Sequence, residues 1–355
     1  MGGVTGLPPR LPWPMIFQIL GVVAGVWLVL STWQIWLMFF TALIIAAAVL
    51  PAARWGERYR IPRGATVFGV YVGVIGVFTL MGRLVWPALS EQWTQFTEQL
   101  PKLIDNARAW LGNVDYWLAQ WGASLPQPKA DNVGGLAGAL ASVLLGNVLR
   151  ATTGAVGAVV EVLAVLVVAA YLVIDSRGIG HTLVTLLPRE HRPTAARLAP
   201  SVLDRIGGYV RGQLISSVFV GVLIAVVLSV MGVKYGLLIG ALAAVFNIVP
   251  FVGATLAALL AVLSALNESV TLAAFAALAM WGAQTVEAKF FAPHFVGKAT
   301  GLHPIAVLLA LLAGAHMGGL IGALVAVPFV AGLWEILRAL YVEPRRPPRK
   351  HAATE

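Results

Sequence analysis

From Trp13 to Leu50 the chain runs 38 residues without a Lys, Arg, Asp or Glu. As one helix that run would be about 57 Å long, against a hydrocarbon core of about 30 Å. It therefore predicts two membrane helices with a turn near residues 31–34, STWQ. The run is too long for the core of a signal peptide and reads as retained helix. The rest of the chain is similar in kind: 59% of its 355 residues are hydrophobic and 11% are charged. Soluble domains carry about 25% charged residues. The expected fold class is all-α, a polytopic transmembrane helical protein with about eight membrane segments. These include broken or re-entrant helices and are joined by one extracytoplasmic amphipathic helical segment.

The formal charge of +9 would suit nucleic acid, but its distribution does not. Arg54, Arg58, Arg60 and Arg63 lie between apolar runs, as do the basic residues from Arg177 to Arg211. Arg345, Arg346, Arg349 and Lys350 close the chain. This is the positive-inside pattern of a membrane protein, and it puts both termini in the cytoplasm. The lipid bilayer is the expected partner and nucleic acid is not. With no cysteine, disulfides and thiolate chemistry are excluded. The sequence has no P-loop, no GxSxG elbow, no HExxH and no dinucleotide fingerprint, and its six histidines show no metal spacing. No enzymatic role, cofactor or metal is expected.

Four regions follow from the charge and hydropathy pattern. Residues 1–86 hold three transmembrane helices, 87–150 the extracytoplasmic segment, 151–342 a transport core and 343–355 a basic tail. The outer segment carries four Lys or Arg and five acids. Its apolar residues Leu89, Trp93, Phe96, Leu100, Leu103, Ala107, Trp110, Val114, Trp117 and Trp121 step alternately by four and three. That is a heptad stripe. It reads either as a helix lying on the lipid surface or as a seam between subunits, with Trp93, Phe96, Leu100, Trp110 and Trp117 the seam candidates. Pro101 predicts a kink or a division into two helices.

Residues 236–266 and 303–340 are each too long for one span and too short for two. Each predicts a broken helix or a re-entrant hairpin. GLLIGALAAV (236–245) and GGLIGALVAV (318–327) agree at eight of ten positions, and a proline follows each, Pro250 and Pro328. Glycines at four-residue spacing, Gly69/Gly73, Gly236/Gly240 and Gly314/Gly318/Gly322, read as helix packing.

Polar groups at membrane depth need partners or a role. Glu161 lies about 14 Å into its span at 1.5 Å per residue. It is either a hydrogen-bonded structural acid or a proton or cation site. Gln284 and Glu287 share a helix face, and Lys289 snorkels to the interface. Glu335 and Arg338 read as an ion pair. In FNIVPFVG (246–253), Asn247, Pro250 and Gly253 break an apolar run, and the backbone groups so released must be satisfied by protein or by a polar ligand. His303, before Pro304, reads as a helix-start residue.

The motifs YVRGQL (209–214), FNIVPFVG (246–253), VEAKFFAPHFVGKATGLHPIAVLLALLAG (286–314) and GGLIGALVAVPFVAGLWEIL (318–337) resemble the autoinducer-2 exporter family of bacterial membrane proteins. YLVIDSRG and LLPREHR, within 171–192, fit the same family. The resemblance covers residues 171–340. It implies a homo-oligomeric permease of the bacterial inner membrane for a small solute, in a ring such as a pentamer. Some members are associated with autoinducer-2 export and others with sodium/proton antiport. By motif, the resemblance places the substrate pathway at Gly212, Gln213, Asn247, Pro250, Gly253, Gln284, Glu287, His303 and Pro304, with Pro293 at a polar helix end. Glu161 and Glu287 are the candidates for coupling to H⁺ or Na⁺. Where the family often has asparagine after the acid, this chain has Ala288 and then Lys289, which leaves fewer oxygens for Na⁺. A non-transporting assembly protein, using its heptad segment to bind partners, is the alternative from another class.

Overall fold

The computed structural model describes residues 13–120, 155–250, 252–290 and 302–342, and among them every regular element is helical. The expected division at 150/151 and the tail from 343 lie outside the described residues. Helices α1 (Trp13–Ser31) and α2 (Trp33–Arg58) part at Thr32, inside the predicted turn. The break is one residue, and α1 runs on with its apolar side chains exposed, Phe17 and Trp27 among them.

Helix α3 (Arg63–Ala119) contains 57 residues, a rod about 86 Å long. It continues through Pro87 and Pro101, so the expected division into two helices at Pro101 is not found. After the next described stretch begins, α4 (Ala155–Ile174) bends by 77° into the short α5 (Ser176–Leu186). Helix α6 (Arg192–Val230) follows, then α7 (Gly236–Phe246), α8 (Val252–Leu266), α9 (Val270–Val286) and α10 (Pro304–Leu337). Among the described residues five helices are long and apolar enough to cross a bilayer, or six with the bent α4–α5 pair. The chain is a polytopic all-α membrane protein.

One end of the bundle is tied by charge. Glu57 accepts from Arg63 at 2.6 Å and from Arg177 at 3.1 Å, and Arg63 also donates to Ser176 Oγ at 2.6 Å. Arg54 pairs with Asp204 at 3.0 Å. Glu335 takes Arg205 at 2.5 Å and Ser201 Oγ at 2.6 Å, both on α6. Besides the helix neighbour Arg338 expected from the sequence, Glu335 thus has a cation on another helix. These links gather α2, α3, α5, α6 and α10 at what is here termed the basic end.

Helices α7 and α8 form a re-entrant hairpin. Ser264, near the end of α8, donates to the Lys234 carbonyl at 2.8 Å, and Lys234 Nζ pairs with Glu268 at 2.6 Å. Both ends of the hairpin therefore meet at the far end of the bundle, and the break at 247–250 is its tip. The first arm packs tightly on α6. A Cβ on Gly221 or Gly240 would collide with the facing backbone, so these glycines let the two helices touch.

Helix α10 also folds back. Gly318 (φ −143°, ψ 21°) and Gly319 (φ 59°, ψ −142°) leave the helical region, and the positive φ suits glycine. Gly314 and Gly322 then lie backbone against backbone; in a straight helix they would be about 12 Å apart. Trp33 Nε1, at the start of α2, donates to Met317 O at 3.1 Å, which sets this tip at the far end. The second hairpin thus enters from the basic end, opposite to the first. The repeated decapeptides run in the same direction through the bundle, but one forms the first arm of its hairpin and the other the second. By contrast, nothing lies within 4 Å of Cβ positions at Gly69 and Gly73, so among the described residues that pair makes no helix contact.

The heptad stripe is used inside the chain. Phe96, Leu100 and Leu103 are buried against the base of the first hairpin, with Trp93 partly buried beside them. Phe96 meets Tyr235 edge to face at 5.4 Å. Gln99 accepts from Tyr235 and Gln92 from the Leu238 amide, each at 2.9 Å, and Asn106 bonds Asn267 at 2.6 Å. A seam with another subunit was one expectation for these residues; Phe96 and Leu100 instead meet their own chain. Trp110 is exposed, and the side chain of Trp117 lies outside the described residues.

Candidate functional site

The first hairpin tip is buried in the middle of the bundle, where water cannot satisfy its backbone. Phe246 ends the first arm, and Asn247 follows in a tight turn before Pro250, which has no amide to continue a helix. The Asn247 carbonyl, released by the break, accepts from Gln213 Nε2 at 2.5 Å across the interface with α6. That is a structural service: it satisfies a helix end that would otherwise be orphaned. Gly253 closes the tip. A Cβ there would run into the backbone nitrogen and Cα of Asn247, so only glycine lets the second arm start so close.

The Asn247 side chain does something else. It is 1% exposed, and its Nδ2 donates to Glu287 Oε1 at 2.8 Å. The same oxygen accepts from Ser216 Oγ at 3.2 Å. Glu287 opens a π-helical turn, 287–290, at the end of α9. Such turns shift the register of a helix by one residue and recur at functional sites. Three elements thus converge on one carboxyl oxygen: α6 through Ser216, the hairpin tip through Asn247 and α9 through Glu287. Ser217, next along α6, is 2% exposed, and its Oγ has no hydrogen-bond partner among the described residues.

Of the expected pathway residues, the structure brings Gln213, Asn247 and Glu287 into hydrogen-bonded contact, with Gly253 against Asn247. Gly212 is buried beside Gln213 on α6. Gln284, one turn before Glu287, reaches the Ala254 carbonyl at 3.5 Å. Pro250 lies at the tip, and its neighbour Val249 packs with Tyr209 of α6 and with Leu311 and Val327 of the second hairpin. His303 caps α10: its Nδ1 accepts from the Ile305 amide at 3.3 Å, and Pro304 begins the helix. Pro293 lies outside the described residues. Glu161 is elsewhere, exposed on α4, which packs on α2 and α3.

Ser216 was missed by reasoning from sequence. Its signal was present: Tyr209, Gln213, Ser216 and Val220 follow four-three-four spacing and mark one buried face of α6.

The sequence model described as AI-2E family transporter matches residues 16–342. YrrI of Bacillus subtilis, named as a candidate transport protein, is 27% identical over 86% of this chain and 86% of its own length. YueF of the same organism is 26% identical over 83% and 82%, and sll0063 of Synechocystis sp. is 28% identical over 84% and 76%. Both carry the same kind of name.

Proposed function

The chain belongs to the AI-2E family of transporters, and from that premise we propose that it moves a small polar solute by alternating access around its two opposed hairpins. As a multi-pass membrane transport protein it needs a polar site that both faces can reach in turn. The observation that carries the proposal is the convergence of Asn247, Ser216 and Glu287 at the tip of the first hairpin. The hydrogen bond from the tip's Asn247 to that carboxyl oxygen is released when the oxygen takes a proton, a cation or a solute donor instead. Autoinducer-2, a small polyhydroxylated molecule, offers such donors, and export is the direction the family resemblance implies.

Positive-inside logic puts the basic end in the cytoplasm of the bacterial inner membrane. On that orientation the first hairpin enters from outside and the second from inside. In this reading Glu287 is the coupling residue. Sodium/proton antiport is the second reading, and it is favoured by the ionisable carboxyl at the tip. A homo-oligomer is proposed with it, and Trp110 is the stripe position at which introduced cysteines would crosslink neighbours.

Flux in proteoliposomes tests the proposal, with solute and Na⁺ offered separately and with or without a pH gradient. Gradient-sensitive solute flux that falls in Glu287→Gln supports the exporter. Proton movement that requires Na⁺ and is lost in the same variant supports antiport. Unaltered flux in both Glu287→Gln and Asn247→Ala rejects the tip as the site.

A further inference from the structure

A second cavity lies apart from the hairpin tip, at the basic end. It is a cleft of about 960 Å³ between α2, α5, the first half of α6 and the end of α10. Its walls are apolar: Leu43 and Leu50 of α2, Leu183 of α5, Leu198 of α6 and Ile336 are representative. We propose that it is a binding site for an anionic phospholipid of the leaflet at the basic end, with acyl chain in the cleft and headgroup on the arginine rim.

Three observations carry this. The first is α5. Ser176, Ile179, Gly180 and Leu183 recur at helical spacing and all face the cleft, while Arg177 and His181 are exposed on the other side. No residue of α5 is buried by the chain itself. An apolar helix face with a cleft behind it, and no protein, requires an apolar filler. The lining is chiefly apolar, so hydrocarbon suits the open cleft better than water does.

The second is depth. Leu43 and Leu50 precede Arg58 by 15 and 8 residues on one helix, so the α2 wall of the cleft lies about 12 to 22 Å from Arg58 along that helix. That is the depth of acyl chains in one leaflet. His191 and Ala195 line the cleft beside the arginines.

The third is charge. Arg189, Arg192 and Arg197 stand against Glu190 alone on residues 188–199, and His191 of this stretch lines the cleft. Arg192 is fixed in place by the carbonyls of Leu187 at 3.0 Å and Thr185 at 2.7 Å. A positive rim over an apolar cleft is complementary to a headgroup with a phosphate and no compensating cation.

The full-length protein, stripped of lipid in detergent, would be offered phosphatidylglycerol or phosphatidylcholine of equal chain length and examined by native mass spectrometry. Retention of phosphatidylglycerol at one or a few per chain, and weaker retention of phosphatidylcholine, is expected. Ala195→Trp, which puts an indole into the cleft, should weaken retention while the protein stays monodisperse. The surface variant Arg189→Gln/Arg197→Gln leaves the cleft intact and should lower the preference roughly tenfold. Equal retention of both lipids overturns the anionic assignment. Retention unchanged in Ala195→Trp overturns the site. Displacement of the lipid by glycerol phosphate assigns the rim to a free phosphate and likewise overturns it, as would lipid binding that appears only after removal of residues 343–355.

Discussion

Arg211 reaches from α6 to α2 and donates through Nη1 to the carbonyl oxygens of Ala47, at 3.4 Å, and Ala48, at 3.2 Å. The Ala47 oxygen is the one that Pro51, four residues on, cannot bond. A charged side chain at membrane depth is thus matched to a backbone acceptor that a proline has released. The helices also touch here, since a Cβ on Gly207 would collide with the same Ala47 carbonyl.

This match predicts a coupled pair. Arg211→Met should cost about 1–3 kcal/mol, the usual loss when a buried acceptor is left unpaired. In a Pro51→Ala background the helix supplies its own amide to Ala47, and the same change should cost less. Thermal unfolding of the four proteins in detergent completes the cycle. Equal costs in both backgrounds would show that Arg211 does not serve the proline break.

Hydrogen bonds to a charged group are worth about 1.5–3 kcal/mol. Glu287→Gln keeps an acceptor oxygen but removes the ionisable carboxyl, and should reduce gradient-driven flux by roughly tenfold to a hundredfold. Glu161→Gln, on the exposed face of α4, should leave it within about twofold. The reverse ranking in proteoliposomes would transfer the coupling role to Glu161.

Gly253→Ala puts a methyl group into the Asn247 backbone. The expected cost is about 1–3 kcal/mol of overpacking, with transport lost more severely than stability because the tip must move to accommodate it. Flux and melting temperature that both match the parent would mean the tip tolerates the extra carbon.

The second hairpin can be tested by crosslinking, since the chain has no cysteine of its own. Leu311 and Ala323 share one buried cluster across the Gly318–Gly319 turn. In a continuous helix they would be about 18 Å apart, too far for a disulfide, which needs Cα atoms within about 7 Å. Leu311→Cys with Ala323→Cys should oxidise within one chain, as read by cleavage between the two sites and gel mobility. A failure to oxidise would favour one straight helix.

At the base of the first hairpin the hydrogen bond and charge of Glu268 hold the Lys234 ammonium above its usual value of 10.5. A raised lysine contributes its stabilisation in full below the unfolded value and loses it as pH rises through the folded one. The pair should therefore act evenly across neutral pH and fade only in strong alkali. Lys234→Met should lower the melting temperature slightly at neutral pH and not at all above that range. Because the pair is exposed, the neutral-pH effect should also shrink in high salt.

Much of the tip was legible before any coordinates. An amide, a proline and a glycine inside an apolar run have few explanations, and Glu287 stands out as an acid near the end of a membrane helix. What could not be read was their meeting, because a contact spanning 40 residues depends on how α7 and α9 pack against α6. The heptad stripe shows the same boundary. Spacing at Phe96 and Leu100 says that one helix face is covered; it does not say whether a neighbour or the chain's own hairpin covers it. Pro101 does not divide the helix, since a long helix with other contacts can absorb the loss of one hydrogen bond. Glu335 was read locally, and nothing in its neighbouring residues points to the Arg205 cation one helix away.

The length of α3 has a mechanical side. The rod is pinned at the basic end through Arg63 and bears on the first hairpin base about 50 Å further along, at Phe96. Contacts with the hairpin base continue through Leu103 to Asn106, and another 13 residues of the helix, 107–119, extend beyond them. This is the geometry of a lever, with the hairpin base at its fulcrum. A sideways load on the free end, from whatever docks there, becomes torque on the segment that carries Asn247. On this geometry a force on that end would reach the middle of the bundle through the hairpin, without any ligand entering it.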